Sequence, residues 1–223
     1  MVPGLLGRKL GMTQVFDETG NAVPVTVVEA GPCPVVQLKT MERDGYAAVQ
    51  LGFLPQRAKR VNRPRKGHFG AAQVEATRYL REFRLPDDGG AEEIQVGQVV
   101  GVAVFSRGDL VKVVGTSKGK GFQGGVKRHG WRGGGASHGS MFHRAPGSIG
   151  ASAYPSRVVP GHALPGHMGH ERVSLGRVKV VSVIPEQNLL LLKGPVPGPK
   201  YGLLEIRLAA RTQQAEAPKG EGE

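Results

Sequence analysis

The chain has 223 residues and a formal net charge of +12, and only 5% of its residues are aromatic. This length allows one large domain or two small ones, and the charge favours a polyanionic partner, either nucleic acid or an anionic membrane surface. The sequence contains neither a run of about 18 apolar residues nor a signal-peptide core, which argues against a membrane partner. Cys33 is the only cysteine, so a disulfide framework is excluded and a reducing cytoplasm is expected.

The N-terminal quarter has the pattern of two β-hairpins. Four apolar, β-branched segments alternate with short clusters of turn-forming residues. The segments are residues 5–16, 22–31, 34–40 and 46–54, and the turns are DETGN (17–21) and MERDG (41–45). Strands at this spacing, without helices between them, predict a barrel or a sandwich.

Residues 55–74 form a basic stretch without a single acid. Pro64 allows a short helix only after it. A solvated loop is one interpretation, but repulsion among the cations favours a loop that contacts phosphates. The candidate RNA-binding residues here are Arg57, Lys59, Arg60, Arg63, Arg65 and Lys66.

Further strands are predicted on both sides of a long central segment. They cover residues 77–85, 94–105, 109–116, 172–185, 189–194 and 203–208, with an acidic turn at 86–93. The fold class is therefore mainly β with little helix. We predict one β domain formed by residues 1–114 and 171–210, in which 55–93 is a basic loop with a short helix and an excursion. Residues 115–170 are predicted to leave this domain as an extended arm, and 211–223 to form a disordered tail.

The central segment, Leu110–His170, contains no Asp or Glu and six of the seven histidines. Ordering so much glycine costs roughly 1–2 kcal/mol of backbone entropy per residue, so we expect the segment to be disordered or shaped by a polyanionic partner. Glycine would also let the backbone approach phosphates closely. The candidate RNA-binding residues are Lys112, Lys118, Lys120, Lys127, Arg128, His129, Trp131, Arg132, His138, His143, Arg144 and Arg157. Trp131 has no evident apolar neighbours here, which favours stacking on RNA over a place in a core.

Other chemistries fit this segment poorly. Gly119–Gly124 matches G-x-G-x-x-G, but GVKRHGWRGGG after it is a poor helix and no acid follows until Glu171. The histidines at 138, 143, 162, 167 and 170 lack nearby Cys or carboxylate ligands, so we expect no metal. Ser137–His138 and Ser148 have no acid nearby to orient a base. We therefore expect no enzyme activity, no cofactor and no small-molecule substrate.

Several motifs in order resemble the bacterial type of large-subunit ribosomal protein three. They are GRKLGMTQVF (7–16), GHFGAAQ (67–73), GTSKGKGFQGGVKRHGW (115–131), HRAPGSIG (143–150), GHMGHERV (166–173) and LLLLKGPVPG (189–198). The resemblance covers nearly the whole chain except its acidic tail. It implies a translation-factor-like β-barrel with a long irregular Gly/Lys/Arg-rich extension inserted between strands.

The resemblance also implies a function. The protein would be a structural constituent of the large ribosomal subunit in the cytoplasm, bind the large-subunit RNA beside neighbouring proteins, and help nucleate assembly near the 3′ end of that RNA. The arm would reach toward the peptidyl transferase centre, with its tip at Ser148, Gly150, Ser152, Ala153 and Tyr154. Some family members carry a methylated glutamine where this chain has Ala153, so we expect no such modification. A free-standing basic nucleic-acid protein is the alternative.

Overall fold

The computed structural model describes residues 2–85 and 94–210. The prediction of a mainly β protein with little helix is confirmed. The strands are β1 Gly4–Phe16, β2 Ala22–Ala30, β3 Cys33–Lys39, β4 Ala48–Pro55, β5 Thr77–Arg84, β6 Val99–Val100, β7 Leu110–Thr116, β8 Gly121–Gln123, β9 Gly166–Met168, β10 Arg172–Ile184, β11 Leu189–Lys193 and β12 Leu203–Ala210. The helices are α1 Met41–Asp44, α2 Arg63–Ala71 and α3 Gly125–His129. The predicted acidic turn at 86–93 and the predicted tail at 211–223 lie outside the described residues.

Six strands close into a barrel in the order β1-β12-β7-β10-β11-β2, and β2 pairs back onto β1. All of these pairs are antiparallel. The first hairpin turns at Asp17, whose carboxylate accepts hydrogen bonds from the backbone N–H groups of Thr19 and Asn21. A side-chain hydrogen bond from Thr19 is the main cause that lowers the pKa of Asp17. The charged turn therefore fixes the register of the two long strands that it joins.

One continuous apolar core fills the barrel and extends under a second sheet, which has the order β5-β4-β3-β6. Inward residues alternate with outward ones along the strands, as in β7, where Val111 and Val113 are buried and Lys112 is exposed. The largest fully buried side chains are Phe53, Phe83, Leu5, Leu6, Leu51, Leu190, Leu192, Leu204 and Ile206. Phe53 and Phe83 come from β4 and β5, so the second sheet contributes the two largest fully buried aromatic side chains of this core.

The predicted strand over residues 94–105 is mostly wrong. Only Val99–Val100 pairs as a strand, with Pro34 and Cys33 of β3. Val102–Val104 forms a 3-10 turn, which buries Val102 and the following Phe105. Residues three apart lie on one face of a 3-10 turn, so this apolar run reaches the core without strand pairing. The predicted turn MERDG likewise contains the one-turn helix α1, which ends at Gly45 in a left-handed conformation.

The chain divides into two compact units. The first, called the β unit here, comprises Met1–Thr116 and Arg172–Glu223 and contains the barrel and the second sheet. The other, called the acid-poor unit here, comprises Ser117–Glu171. Thr116 and Arg172 are register partners in the β7–β10 pair, so the acid-poor unit is inserted between two neighbouring barrel strands.

Candidate nucleic-acid interface

The two ends of the acid-poor unit are hydrogen-bonded to each other. The Ser117 N–H donates to the Glu171 carbonyl at 2.8 Å, and the Glu171 N–H donates to the Ser117 hydroxyl at 3.2 Å. Beyond them β8 and β9 form a two-stranded antiparallel ribbon. At Gly169 the backbone has φ +75°, and a Cβ would collide with the Lys118 carbonyl oxygen. Glycine is therefore required where the ribbon begins.

The helix α3 follows β8 and covers only part of the sequence that was predicted to be a poor helix. It has only five residues and ends at Gly130 in a left-handed conformation. The Arg128 guanidinium donates to the Leu164 carbonyl at 2.6 Å, and the same oxygen lies 3.0 Å from Nε2 of His129. These contacts fasten the helix to the segment that leads into β9, and they fix the guanidinium before any ligand binds.

A pocket of about 450 Å³ lies within the acid-poor unit, between the start of the ribbon and α3. Its lining includes basic side chains from both sides of the ribbon together with one carboxylate, that of Glu171. The lining residues are Ser117, Lys118, Lys120, Arg128, His129, His167, Met168, Gly169 and Glu171. Because lysine and arginine so outnumber the acid, the pocket suits an anion with several acceptor oxygens, such as a phosphate group.

Trp131, which was predicted to lack apolar neighbours, packs inside the acid-poor unit against Gly125 and His129. Its ring covers Gly125, where a Cβ would overlap the ring carbons. The indole also stacks on the His129 ring, with centroids 6.1 Å apart and planes inclined by 26°. The ring is half-buried, so one part contacts the helix and the remainder is open to a further partner. Stacking of Trp131 on RNA remains a prediction.

Residues 132–163 contain neither helix nor strand. They are organised in part by close backbone contacts, because the Gly134 N–H donates to the His143 carbonyl at 2.9 Å and His143 Nδ1 lies 2.8 Å from the Gly135 carbonyl. His143 is therefore already engaged in an internal contact. The exposed residues predicted to bind RNA in this stretch are Arg132, His138, Arg144 and Arg157.

The predicted tip is exposed throughout. The Ser148 hydroxyl donates to the Gly150 carbonyl at 3.0 Å, and the Ser156 hydroxyl donates to the Ala153 carbonyl. Tyr154 is 90% exposed. Ser152 is also exposed. The exposed Ser152 and Tyr154 side chains are therefore accessible for contacts outside the chain, while the hydroxyl groups of Ser148 and Ser156 hold the turn.

The predicted basic loop lies in the β unit and leads into α2. The helix starts as predicted around Pro64, and the Asn62 side chain caps it by accepting from the Arg65 N–H at 3.3 Å. The Arg65 guanidinium donates to the Thr77 carbonyl and lies over the Phe69 ring, which gives it a structural role. The exposed members of the set are Arg57, Lys59, Arg60, Arg63 and Lys66.

Sequence reasoning missed one member of this surface. Arg57 and Arg60 line a pocket of about 460 Å³ together with Pro55, Gln56 and Arg78. Arg78 lies on β5, 18 positions after Arg60. Its only sequence signal is the alternation of charged residues along that strand, which marks an exposed face without indicating what the face meets. Lys112 is likewise an exposed residue of the β unit, on β7.

The structure adds two observations on the other candidate chemistries and one on a membrane. Among the described residues, no group of three or more His, Cys, Asp and Glu side chains is placed to hold a metal ion. Gly119–Gly124 contributes β8 to the ribbon and ends at the start of a five-residue helix, which differs from the strand–loop–long-helix arrangement of a dinucleotide site. Within residues 2–85 and 94–210, no helix is both long and apolar enough to cross a membrane.

The comparisons with known proteins all indicate the same family. The family described as Ribosomal protein L3 matches residues 88–184. The large ribosomal subunit protein uL3 of Pelotomaculum thermopropionicum is 54% identical over 96% of this chain and 100% of its own length. The uL3 proteins of Desulforudis audaxviator and Geobacter sulfurreducens are 53% and 52% identical, over 95% and 93% of this chain and 97% of their own lengths. Proteins with this name form a structural family and not a family of enzymes. The chain therefore belongs to the Ribosomal protein L3 family of large ribosomal subunit proteins.

Proposed function

We propose that this protein binds the RNA of the large ribosomal subunit mainly through its acid-poor unit, with the basic loop before α2 as a second contact. The observation that carries the proposal is the pocket in which Lys118, Lys120 and Arg128 converge beside a single acid. A backbone phosphate would receive the fork of the Arg128 guanidinium and the two mobile ammonium groups. Such contacts neutralise charge and fix orientation without reading bases, so recognition is mainly of RNA shape.

The assembly role extends this proposal. The protein would bind near the 3′ end of the large-subunit RNA in the cytoplasm, help nucleate the particle, and contact neighbouring ribosomal proteins. Residues 132–163 would enter the RNA with Ser148–Arg157 toward the peptidyl transferase centre. Their exposure and lack of regular structure support this, because side chains and backbone polar groups remain available for RNA. The reaction itself would belong to the RNA, and the protein would need neither a cofactor nor a small-molecule substrate.

Salt-dependent binding tests the pocket. The double variant Lys118→Gln/Lys120→Gln removes two charges from it, whereas Lys179→Gln/Lys193→Gln removes two exposed charges of the barrel as a matched control. Binding to a 3′ fragment of large-subunit RNA is measured across salt concentrations. The slope of log K against log salt should be smaller by about 0.7–0.9 for each phosphate contact that the pocket variant loses. Equal slopes for the pocket variant, the control and the parent protein would refute the role of the pocket.

A deletion tests the role in the particle. Replacing residues 132–163 by a short glycine linker retains α3 and the β8–β9 ribbon. We expect defective subunit assembly, or particles with slow peptide-bond formation. Normal particles with normal peptide-bond formation would contradict the proposal. Failure of the intact protein to co-sediment with large subunits in high salt would instead favour a free-standing nucleic-acid protein.

A further inference from the structure

Three arginines of the β unit converge on one carboxylate. Glu205, on β12, is contacted by Arg81 Nε at 3.2 Å, Arg172 Nη2 at 3.4 Å and Arg207 Nη2 at 3.5 Å. The three come from β5, β10 and β12, so only the folded chain brings them together. The Glu205 side chain is 13% exposed, whereas those of Arg81 and Arg172 are 51% and 67% exposed. The acid is therefore sheltered beneath arginines that remain accessible.

The cluster is not electrically balanced. One carboxylate faces three guanidiniums, which leaves an excess of two positive charges. Lys112 adds to the excess, because it is the register partner of Arg207 across the β7–β12 pair. Like charges directly opposite each other destabilise a sheet. A bound anion would reduce the net positive charge of the cluster, as it would for the basic pocket of the acid-poor unit.

Arg207 is another member of the cluster, and its donors are not all satisfied among the described residues. Its guanidinium lies 5.2 Å from the centroid of the Phe83 ring, which restricts its orientation. Its Nε atom is buried and has no hydrogen-bond acceptor among the described residues. A buried charged donor without an acceptor is unfavourable, so the positive charge of the cluster is not fully compensated among the described residues.

A small pocket lies beside the cluster. It has a volume of about 240 Å³ and is lined by Arg81, Val114, Gly115, Thr116, Arg172, Leu203 and Glu205. This volume is below the roughly 300–1,000 Å³ of pockets that take drug-sized ligands, and it suits a small anion. Two arginines and a threonine hydroxyl supply donors on its wall. Arginine forks match the oxygen geometry of phosphate and can bind it in a bidentate manner.

We propose that Arg81 and Arg172, held by Glu205, form a separate site on the barrel for one phosphodiester of an RNA backbone. This inference rests on the proposed function, because it names a further contact to the same RNA. The site lies entirely within the β unit and uses arginines outside the basic loop. Glu205 is a positioning residue, because its two oxygens fix the three guanidiniums relative to one another.

Two variants of the intact protein test the site. Arg81→Gln/Arg172→Gln should reduce the slope of log K against log salt by about 0.7–0.9 for RNA binding, the value for one lost phosphate contact. Arg172→Lys keeps the charge but loses the guanidinium fork, so it should weaken binding while leaving the slope unchanged. The exposed pair Lys179→Gln/Lys193→Gln is the control, and thermal melting verifies that each variant is folded. An Arg172→Lys variant that binds RNA as tightly as the parent protein would refute the proposal that the Arg172 guanidinium binds the phosphate in a bidentate manner.

The pocket variant Lys118→Gln/Lys120→Gln, measured in parallel, separates this site from the proposed function. A loss in that variant with none in Arg81→Gln/Arg172→Gln would refute only the barrel site. No loss in either would refute both. Titration of the intact protein with inorganic phosphate, followed by ¹⁵Nε arginine resonances, provides the second readout. A response to inorganic phosphate without any effect of the arginine variants on RNA binding would identify a free-phosphate site and overturn the RNA assignment.

Discussion

Replacing Gly125 by alanine should release Trp131 from α3. The indole ring covers Gly125 so closely that a Cβ would overlap its carbon atoms. Alanine is otherwise better than glycine in a helix, by about 1 kcal/mol. Steric overlap and helix propensity therefore predict opposite effects on the free energy of the helical state. The neighbouring Gly124 has a negative φ of −69° and open space around its Cβ position, so Gly124→Ala is a matched control.

The size of the expected change in free energy follows from the contact area of the Trp131 ring. Aromatic side chains bury roughly 150–250 Å² each when enclosed, and Trp131 is half-buried, so about 100 Å² is at stake. At roughly 25 cal/mol per Å², expelling the ring forfeits about 2.5 kcal/mol. Subtracting the gain in propensity leaves a local destabilisation of about 1.5 kcal/mol, or roughly a tenfold shift toward the open state.

Fluorescence provides a direct assay, because Trp131 is the only tryptophan. In Gly125→Ala the emission should shift to longer wavelength and iodide quenching should increase. Gly124→Ala should match the parent protein in both measurements. If Gly125→Ala also matched the parent protein, the ring would not rest on the helix and the packing argument would be refuted.

Three further predictions concern the β unit. Burial raises the pKa of the Cys33 thiol to about 12, so native protein should resist alkylation at pH 8, and stability should fall as the pH rises from about 9 because only the unfolded thiol then ionises. Burial by itself raises the pKa of the Glu82 carboxyl, but hydrogen bonds, of which that from Tyr46 is the largest cause, lower it by more. The pKa of Glu82 therefore lies below its usual value. The ionised carboxylate of Glu82 therefore stabilises the fold above the unfolded pKa, and this stabilisation is lost as the pH falls below about 4.5. In Glu82→Gln the urea midpoint should therefore depend less on pH between pH 6 and pH 3 than in the parent protein. Phe53→Ala should cost about 3–5 kcal/mol by urea unfolding, whereas Phe16→Ala, at an exposed position, should stay within about 0.5 kcal/mol.

The barrel strands were predictable because each carries its own signal. Residues 5–16, 22–31, 172–185 and 189–194 combine β-branched residues with clear turn sequences, and the structure places strands at all four. The apolar run at 94–105 lacked such a constraint. Its valines favour a strand locally, but Val102 and Phe105 are three residues apart and enter the core from a 3-10 turn. Tertiary packing thus overrode the local preference.

The sequence predicted which residues belong to the candidate site but not how they are arranged in space. Counting basic residues identified Lys118, Lys120 and Arg128, because a run without acids is visible in the sequence. Their convergence depends on the pairing of β8 with β9, which joins positions 121–123 to 166–168. No local pattern encodes a pairing over that separation. The same limit explains why Arg78 was missed, since its partners Arg57 and Arg60 are on another part of the chain.

The two units handle positive charge in different ways. In the β unit, Glu82 pairs with Lys39 and Glu205 pairs with three arginines, so acids and bases are matched at least in part inside the chain. The acid-poor unit has seven Lys and Arg residues and Glu171 as its single acid. Rearranging its side chains therefore cannot balance the charge. Anions from outside the unit are needed to balance it, and the glycine contacts that already fix the backbone would reduce the entropy lost on binding a polyanion. The fixed backbone of this unit and its excess positive charge thus both favour the binding of a polyanion.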